Sequence, residues 1–466
     1  MNKLQVDQLS QILTSLLARG GSFADLFLEE TDGTSLLCEE DKIEQILSGC
    51  DWGAGLRLIQ DFQTVYGSSN DLSFPSLLDL AQYLSSALPA STLSAATPSA
   101  PLAPKDPPWT HQIRIPPREI PLEEKVKAVM AANAAARGID PRIRQVRVIY
   151  RDGRRKVQIA NSEGLLCNEE RTGILLSVQV VAASGDIIQT GYEAVGGVLG
   201  WELFEEVPPE AVAEKAAHRA IKMLEAEPAP AGPMTVVLSS EAGGTMIHEA
   251  VGHGLESDLA QEGLSVYSHR IGEPIASPLI TVIDDPTIPQ KRGSYIYDDE
   301  GTEARRTILV EAGILKGYLY DRLTAMKDRL PSTGNGRRQS YQHRPIPRMS
   351  NTLIAPSQTP PGEIIRSVSR GLLVRKMGGG QVNTVNGDFV FEVSEGYRIE
   401  RGEVGPPVRG ATLIGNGSQI LKEIDMVGSD LGFGLGTCGK DGQGAPVADA
   451  QPTLRIPQII VGGTSA

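Results

Sequence analysis

SSEAGGTMIHEAVGHGLESDLA, residues 239–260, contains two of the six histidines of the chain and opens its glycine-rich second half. His248, Glu249 and His253 form the pattern His-Glu-x-x-x-His, one residue longer than the common metal-binding pattern His-Glu-x-x-His. On a regular helix, residues five apart lie about 140° apart around the axis, so these imidazoles would point away from each other. Both reach one ion only if the helix is underwound, as in a π-bulge, or breaks near Gly252. Gly252 and Gly254 lower the energy of either distortion.

The chemistry of this pattern suits a metal ion. Neutral imidazole is a good zinc ligand, and Glu249 would lie beside the ion as the base that takes a proton from water. The hydroxide so formed would attack a carbonyl group. The alternative is a chance occurrence of two histidines and a glutamate on a partly buried helix, because short motifs also match at random. The spacing alone leaves both interpretations open.

A third zinc ligand has to come from elsewhere, since catalytic zinc commonly has three protein ligands and one open position. Cys438 is the preferred candidate because it lies in the glycine-rich loop FGLGTCGKDGQG, where the backbone can approach an ion closely. The alternative for Cys438 is a small buried apolar residue. The other candidates are three cysteines, three histidines and two acids: Cys38, Cys50, Cys167, His218, His269, His343, Glu256 and Asp258. We predict that the three cysteines are buried and that His218 lies on an exposed helix face.

The first half of the chain shows the same order of elements twice. An amphipathic helix is followed by the strand-like runs FADLFLEE, TSLLCEE and GLRLIQDF and by a second helix after Pro75. After a connector rich in Pro, Ala and Ser, at about residues 90–117 and predicted to be flexible, the order recurs. It comprises a helix at 121–137, the runs RQVRVIYRD, RKVQIAN and ILLSVQVVAAS, and a helix after Pro209. We therefore predict doubled helix–sheet–helix units.

The predicted fold class is α+β. A break at EAEPAPAGP ends the N-terminal α/β region near Pro233, and β-like runs such as MTVVLSS, ITVIDD and DFVFEV dominate the remainder. We predict an N-terminal α+β domain at 1–233 and a mainly antiparallel, β-rich catalytic domain at 234–466 that carries the metal-binding helix. A length of 466 residues favours two such cores over one.

Composition excludes several classes of partner. A net charge of −13 argues against nucleic acid, because phosphate binding needs clustered Lys and Arg. No apolar stretch is long enough to cross a bilayer, and the first residues predict a folded helix rather than a signal peptide. Four scattered cysteines are typical of a reducing compartment. We therefore expect a cytoplasmic protein with no membrane partner.

HEAVGHGLESD, followed far downstream by GLGTCGKDGQG, resembles the TldD branch of the TldD/PmbA peptidase family. YIYDDEGTEARRT, STGNGRRQSYQHRPIPRMSNT and MGGGQVNTVNGDFVFEV are also similar to the family, so the resemblance covers most of 234–466. It implies one zinc ion per chain, held by His248, His253 and Cys438, with Glu249 as the catalytic base. The PmbA branch is similar in fold but lacks the metal motif, so the intact motif places this chain on the zinc-bearing side.

The resemblance also implies partners and substrates. It implies a subunit that pairs with a PmbA/TldE-like chain or with itself and that hydrolyses unfolded peptides or small labile proteins in an enclosed site. Two other functions stay open: a non-catalytic subunit that binds a peptide or partner, and a metal hydrolase with a different substrate.

Four further stretches of the second half carry expectations of their own. SYQHRPIPRMSNT offers His343 and Arg348 as substrate contacts, since arginine can grip a carboxylate or carbonyl by forked hydrogen bonds. GGGQVNTVNGDF is expected to bind an extended peptide by strand addition, and a β-hairpin is expected to turn near Gly313. Two interpretations apply to the charged run ahead of that hairpin: its residues line the site, or they form a solvated loop with internal ion pairs, which is the preferred prediction. The residues are Asp298, Asp299, Glu300, Arg305 and Arg306.

Overall fold

The computed structural model describes residues 4–87 and 98–463. Its first half repeats the order helix, three strands, helix, which confirms the doubled unit. The elements are α1 (Val6–Leu16), β1 (Phe23–Glu39), β2 (Lys42–Gln60), β3 (Gln63–Ser69), α2 (Phe74–Ala87), β4 (Ala103–Lys105), α3 (Leu122–Gly138), β5 (Ile143–Asn161), β6 (Leu165–Ser184), β7 (Ile187–Gly197), α4 (Leu203–Glu206) and α5 (Pro209–Leu224).

One seven-stranded sheet joins the two units. Its strands follow the order β3-β2-β1-β5-β6, with β7 and the short β4 both beside β6. The units meet at β1 and β5, which pair antiparallel from Asp25↔Asn161 to Glu39↔Arg147. The apolar face of α1 is buried with α2 against the first unit, and α3 and α5 cover the second. Each helix pair thus encloses its own apolar layer on the common sheet.

Two details of this half differ from the sequence prediction. FADLFLEE and TSLLCEE belong to the single strand β1, because the polar residues between them continue the ladder with β2. The predicted flexible connector, 90–117, is partly fixed: β4 pairs parallel with β6, and the Ser99 amide donates to the Ser162 carbonyl at 2.8 Å. Residues 90–97 lie outside the described residues.

The second half is mainly antiparallel and β-rich, as predicted. Its strands are β8 (Glu227–Pro228), β9 (Gly232–Leu238), β10 (Val282–Asp284), β11 (Thr307–Glu311), β12 (Ile314–Leu315), β13 (Gly336–Arg337), β14 (Ile346–Pro347), β15 (Asn351–Ile354), β16 (Arg370–Val382), β17 (Asp388–Glu400), β18 (Glu403–Arg409), β19 (Thr412–Asn416), β20 (Met426–Val427), β21 (Gly432–Lys440), β22 (Gln443–Gln451) and β23 (Leu454–Gly462). Its helices are α6 (Thr245–Ile247), α7 (Ser257–Gln261), α8 (Arg322–Asp328), α9 (Pro361–Arg366) and α10 (Gly417–Glu423).

Two larger sheets enclose the core of this half. One runs β16-β9-β23-β19-β17-β18-β8, and β16 also pairs with β17, so five of its strands close a ring. The other runs β12-β11-β10-β15-β22-β21. The predicted hairpin near Gly313 is confirmed, since β11 and β12 pair and both Ala312 and Gly313 have positive φ, as a type I′ turn requires. The domain boundary at Pro233 stays a prediction. Within the described residues, no helix is long and apolar enough to cross a membrane.

The charged run before that hairpin corrects one expectation. Asp298, Asp299 and Glu300 are at most 1% exposed and do not form a solvated loop. Their cationic partners come from the first sheet: Arg155 lies 2.9 Å from Asp299, and Arg57 lies 2.7 Å from Glu300. These partners are distant in sequence: Arg155 and Asp299 are 144 residues apart. The sequence of the charged run therefore does not reveal that its acids are buried. The expectation of exposure holds for the last two residues of the run, Arg305 and Arg306.

Asp321 beside this cluster makes stability depend on pH. Burial and repulsion by Glu300 raise the pKa of Asp321, against the attraction of Arg57. An unfolded aspartate loses its proton near pH 4, whereas the folded protein keeps this one to higher pH. The stability from this group is therefore present at low pH and is lost as pH rises above about 4 through the native pKa. Asp321→Asn keeps an acceptor for the Thr324 amide at the start of α8.

We expect the midpoint of urea unfolding to fall less between pH 5 and pH 8 in Asp321→Asn than in the parent. The exposed Asp79→Asn on α2 is the control and should keep the parent's dependence. Identical pH dependence in all three proteins would contradict a raised pKa at Asp321.

Candidate metal centre

The histidine motif forms an irregular helix in three short parts. After α6, residues His248–Gly252 make a π-helical turn and His253–Leu255 a 3₁₀ turn. The His253 amide donates to the His248 carbonyl, five residues earlier, which is the hydrogen bond of a π turn. The predicted underwinding is therefore confirmed, and the helix does not break at Gly252. Gly252 instead provides space, because a Cβ there would lie 2.0 Å from the Met349 sulfur.

The π turn brings the two imidazoles together. The ring centroids of His248 and His253 lie 5.1 Å apart with their planes at 88°. Cys438, from β21, approaches them so that its Sγ lies 3.2 Å from His253 Nε2. One ligand atom from each of these three residues falls within 4.8 Å of the other two. Among the described residues, this is the group of His, Cys, Asp and Glu side chains whose spacing suits a metal ion.

These residues fit zinc. Two imidazole nitrogens and a thiolate are a common zinc donor set, and three ligands leave a fourth position open. His248 Nδ1 is buried and has no hydrogen-bond partner in the structure. A buried polar nitrogen without a bonding partner is energetically unfavourable. An ion bound at Nδ1 would give this nitrogen a partner.

The electrostatics favour the ligand form of Cys438. Burial opposes ionisation of the thiol, but hydrogen bonds from His248 and His253 outweigh burial and lower the pKa of Cys438 to about 5. The thiolate is the form that binds metals, and at neutral pH it is already present here. Burial alone would lower the pKa of each imidazole, yet the pKa of His253 is raised, chiefly by Glu256 and Cys438.

Glu256 lies behind His253. Its Oε2 is 3.0 Å from His253 Nδ1 and 3.1 Å from Lys440 Nζ, and the carboxylate is fully buried. Burial opposes the charge, but Lys440 and His253 together lower the pKa of Glu256 to about 2. A carboxylate bound to one ring nitrogen fixes the imidazole so that the other nitrogen faces the ion. The structure thus places Glu256, one alternative third ligand, as an orienting partner of His253.

Replacement of Glu256 by Gln should lower zinc affinity about 10–100-fold, the usual effect of losing such a partner. The variant keeps the side-chain size but loses the charge that holds His253 and Lys440. Affinity is measured by competition with a zinc-chelating dye. Asp258→Asn is the matched control, because Asp258 also pairs with Lys440, at 2.7 Å, and it should stay within a few-fold of the parent. Equal affinities in the parent and Glu256→Gln would remove the orienting role.

Two further acids interact with the cluster or lie next to it in the chain. Glu249 is half-buried on the π turn, directly after His248. Asp449, on β22, is buried, and burial with a smaller contribution from Glu249 raises its pKa, although His248 favours the charged form. Sequence reasoning missed Asp449, because it lies in the strand GAPVADAQ, where no spacing signal points to the histidines.

The remaining site candidates lie as follows. Arg348 is 1% exposed and donates to the carbonyls of Cys438 and Gln443, so it supports the β21–β22 hairpin that carries the thiolate, a segment that the sequence had indicated as a loop. His343 is half-buried, with its Nδ1 3.0 Å from Ser340 Oγ. Substrate contact by either residue stays a prediction.

The alternative ligands lie outside the cluster of His248, His253 and Cys438. Cys38 and Cys167 are buried as expected, whereas Cys50 is exposed, which corrects that prediction. The reason is that most side chains of β2 between Lys42 and Trp52 face solvent. His218 is exposed as predicted, and His269 is exposed as well.

Comparison with known proteins places the whole chain in one family. Family models match three segments: PmbA/TldA metallopeptidase domain 1 at 24–88, the central domain at 115–224 and the C-terminal domain at 231–463. A Haemophilus influenzae protein named Metalloprotease TldD homolog is 35% identical over 100% of this chain and 98% of its own length. A Saccharolobus solfataricus protein named Zinc metalloprotease TldD homolog is 30% identical over 73% of this chain and 76% of its own.

The fold is also found in a solved structure. TldE from Thermococcus kodakarensis superposes with a TM-score of 0.79 at 17% identity, covering 98% of this chain and 99% of that one. At this identity the likeness concerns the fold alone. The matches in sequence span all three family segments and the full length of a curated relative, and they include the segment that carries the three clustered side chains. The chain belongs to the PmbA/TldD metallopeptidase family.

Proposed function

We propose that this chain is a zinc-bearing, TldD-type peptidase that hydrolyses unfolded peptides or small labile proteins, with Glu249 as general base. The observation that carries the proposal is the convergence of His248, His253 and Cys438 within 4.8 Å, beside Glu249 on the same π turn. The metalloprotease names of the relatives support a peptidase role, and one of those names includes zinc. The alternative of a non-catalytic binding subunit is not favoured by those names.

The residues divide the reaction between them. A bound zinc ion would lower the pKa of water and polarise the scissile carbonyl. His248, His253 and Cys438 would hold the ion, one per chain, and Glu256 fixes the ring of His253. Glu249 accepts the proton of the attacking water and then donates it to the leaving amine nitrogen as the C–N bond breaks. The products are a carboxylic acid and an amine, and Glu249 is restored.

The substrate strand has a candidate binding edge. The segment GGGQVNTVNGDF forms the end of the β16–β17 hairpin, with Gly380 opposite Phe391. On its other side β16 pairs with β9 only over Gly371–Val374, so its later residues have no second strand partner among those described. β16 also contacts the π turn of the metal centre. An extended peptide added at this edge would be held by its backbone, which suits broad specificity.

The partner and compartment remain part of the proposal. A TldE structure shares the fold, and we propose that the chain pairs with a PmbA/TldE-like subunit or forms a homodimer in the cytoplasm. His343 and Arg348 are retained as proposed contacts to the peptide.

The test is zinc-dependent cleavage of an unfolded peptide. We expect purified protein to contain about one zinc per chain, to lose peptide cleavage after chelation and to regain it when zinc is restored. The assay is run with and without a TldE-like subunit, and simple esters and phosphate esters are compared under the same conditions. Cleavage of esters or phosphates without cleavage of peptides in either arrangement would overturn the proposed substrate class.

A further inference from the structure

A cavity lies away from the metal centre, between the first sheet and the β21–β22 hairpin. Its volume is about 560 Å³, within the usual range for small-molecule sites. Strands β1, β2, β5 and β6 form one wall, and the segments around Arg292, Arg337 and Pro446 form the other. The cavity is on the opposite face of β21 from the metal ligands, because Thr437 contacts Arg292 here while the next side chain, Cys438, faces the histidines.

Six arginines line this cavity in a chain with a net charge of −13: Arg154, Arg155, Arg171, Arg292, Arg337 and Arg338. Three of them are neutralised by carboxylates. Arg154 pairs with Asp32, Arg155 lies 2.9 Å from Asp299, and Arg171 lies 2.7 Å from Glu169. Three aspartates also line the cavity, and two of them are engaged, Asp32 with Arg154 and Asp152 with Lys125 at 2.6 Å. The charges that remain are those of the other three arginines and of Asp51, so the lining keeps a net positive charge.

These three guanidinium groups are held mainly by neutral acceptors. Arg292 donates to the Gly436 carbonyl at 3.1 Å and to Thr437 Oγ1 at 3.3 Å. Arg337 donates to the carbonyls of Met349 and Pro446, at 2.6 and 2.8 Å. Within the described part of the chain, neither forms an ion pair with a carboxylate.

Arg338 is similar. It donates to the Asp299 backbone carbonyl at 2.8 Å, lies 4.2 Å over the Phe27 ring and is 3.7 Å from its nearest carboxylate, Asp25. Arg337 and Arg338 are 4% and 3% exposed, and each leaves its Nε buried without a hydrogen-bond partner. Buried cations are normally compensated by an opposite charge, because the desolvation of an unpaired charge is strongly unfavourable.

We propose that this cavity binds a small anionic molecule bearing carboxylate or phosphate groups, held by Arg292, Arg337 and Arg338. Guanidinium groups recognise both chemistries by paired, charge-assisted hydrogen bonds. The site is separate from the peptidase centre, and its occupation does not depend on hydrolysis or on zinc.

Cys50 provides a reporter for this site. It lines the cavity and is the exposed cysteine of the four in the chain; Cys38, Cys167 and Cys438 are buried. The rate of labelling of Cys50 by a neutral maleimide is measured in the full chain with increasing inorganic phosphate or citrate, at constant ionic strength adjusted with chloride. We expect saturable protection by at least one of the two anions. Protection by phosphate alone assigns a phosphate ligand, protection by citrate alone a carboxylate ligand, and protection by both the shared anionic class.

The matched variants are Arg292→Gln and the exposed Arg306→Gln, which removes the same charge outside the cavity. We expect the protecting anion to bind at least about tenfold more weakly to Arg292→Gln and unchanged to Arg306→Gln, since one charge-assisted contact is lost. Each rate is expressed relative to the same variant without anion, so a changed intrinsic reactivity of Cys50 does not affect the comparison. Labelling of the parent that neither anion slows, protection that chloride reproduces, or equal protection in Arg292→Gln would overturn the proposal.

Discussion

Glu249→Gln is expected to lower peptide hydrolysis by at least about 100-fold while the zinc content stays at the parent's level, because a positioned general base contributes about 10²–10⁴-fold. The substituted glutamine keeps the size and the half-buried position of the side chain on the π turn but cannot accept the proton of water. The proposed zinc ligands, His248, His253 and Cys438, are unchanged in this variant.

The measurement pairs single-turnover peptide cleavage with zinc analysis of the same sample. Glu241→Gln is the control: this exposed glutamate lies eight residues earlier and should keep the parent's rate. Unchanged cleavage by Glu249→Gln would remove the base from the mechanism. Loss of zinc together with activity would instead assign Glu249 to metal retention, which also contradicts the role proposed here.

The local shape of the metal centre follows from the sequence to a large extent. The spacing of His248 and His253 allows a shared ion only if the helix is underwound or breaks, and the structure has a π turn at those residues. The two repeats of helix, strands and helix are also visible in the sequence, because amphipathic and β-like periods are local signals. The role of Gly252 differs from the prediction. The helix does not break at this residue, and the absence of a side chain leaves room for Met349.

The sequence does not show contacts that join distant segments. Asp298, Asp299 and Glu300 have the composition of a solvated loop, and only the fold shows that Arg57 and Arg155 of the first sheet neutralise them. Glu256 follows the motif closely enough to be a candidate ligand, and its pairing with His253 and Lys440 depends on how β21 returns to the motif. Charge partners of this kind are determined by tertiary packing, which leaves no repeating pattern in the local sequence.

Of the three residues in the cluster, Cys438 is the one that the sequence supports least, because a lone cysteine is more often a small buried residue. The structure places its Sγ 3.2 Å from His253 Nε2, and the imidazoles lower the pKa of the thiol to about 5 although burial opposes this. Such a thiolate is a much better zinc ligand than a hydroxyl group, which does not ionise near neutral pH. Cys438→Ser therefore removes the ligand with almost no change in shape.

We expect Cys438→Ser to lower zinc content from about one ion per chain to a small fraction after dialysis, a larger loss of affinity than the about 10–100-fold expected for an orienting partner such as Glu256. Zinc is measured by elemental mass spectrometry, and thermal unfolding of the metal-free proteins checks that the variant folds. The exposed Cys50→Ser is the control and should retain its zinc, since this thiol is not part of the cluster. Full zinc in Cys438→Ser would contradict the proposed three-ligand set. The third ligand would then be an acid such as buried Asp449, whose charge acts on His248.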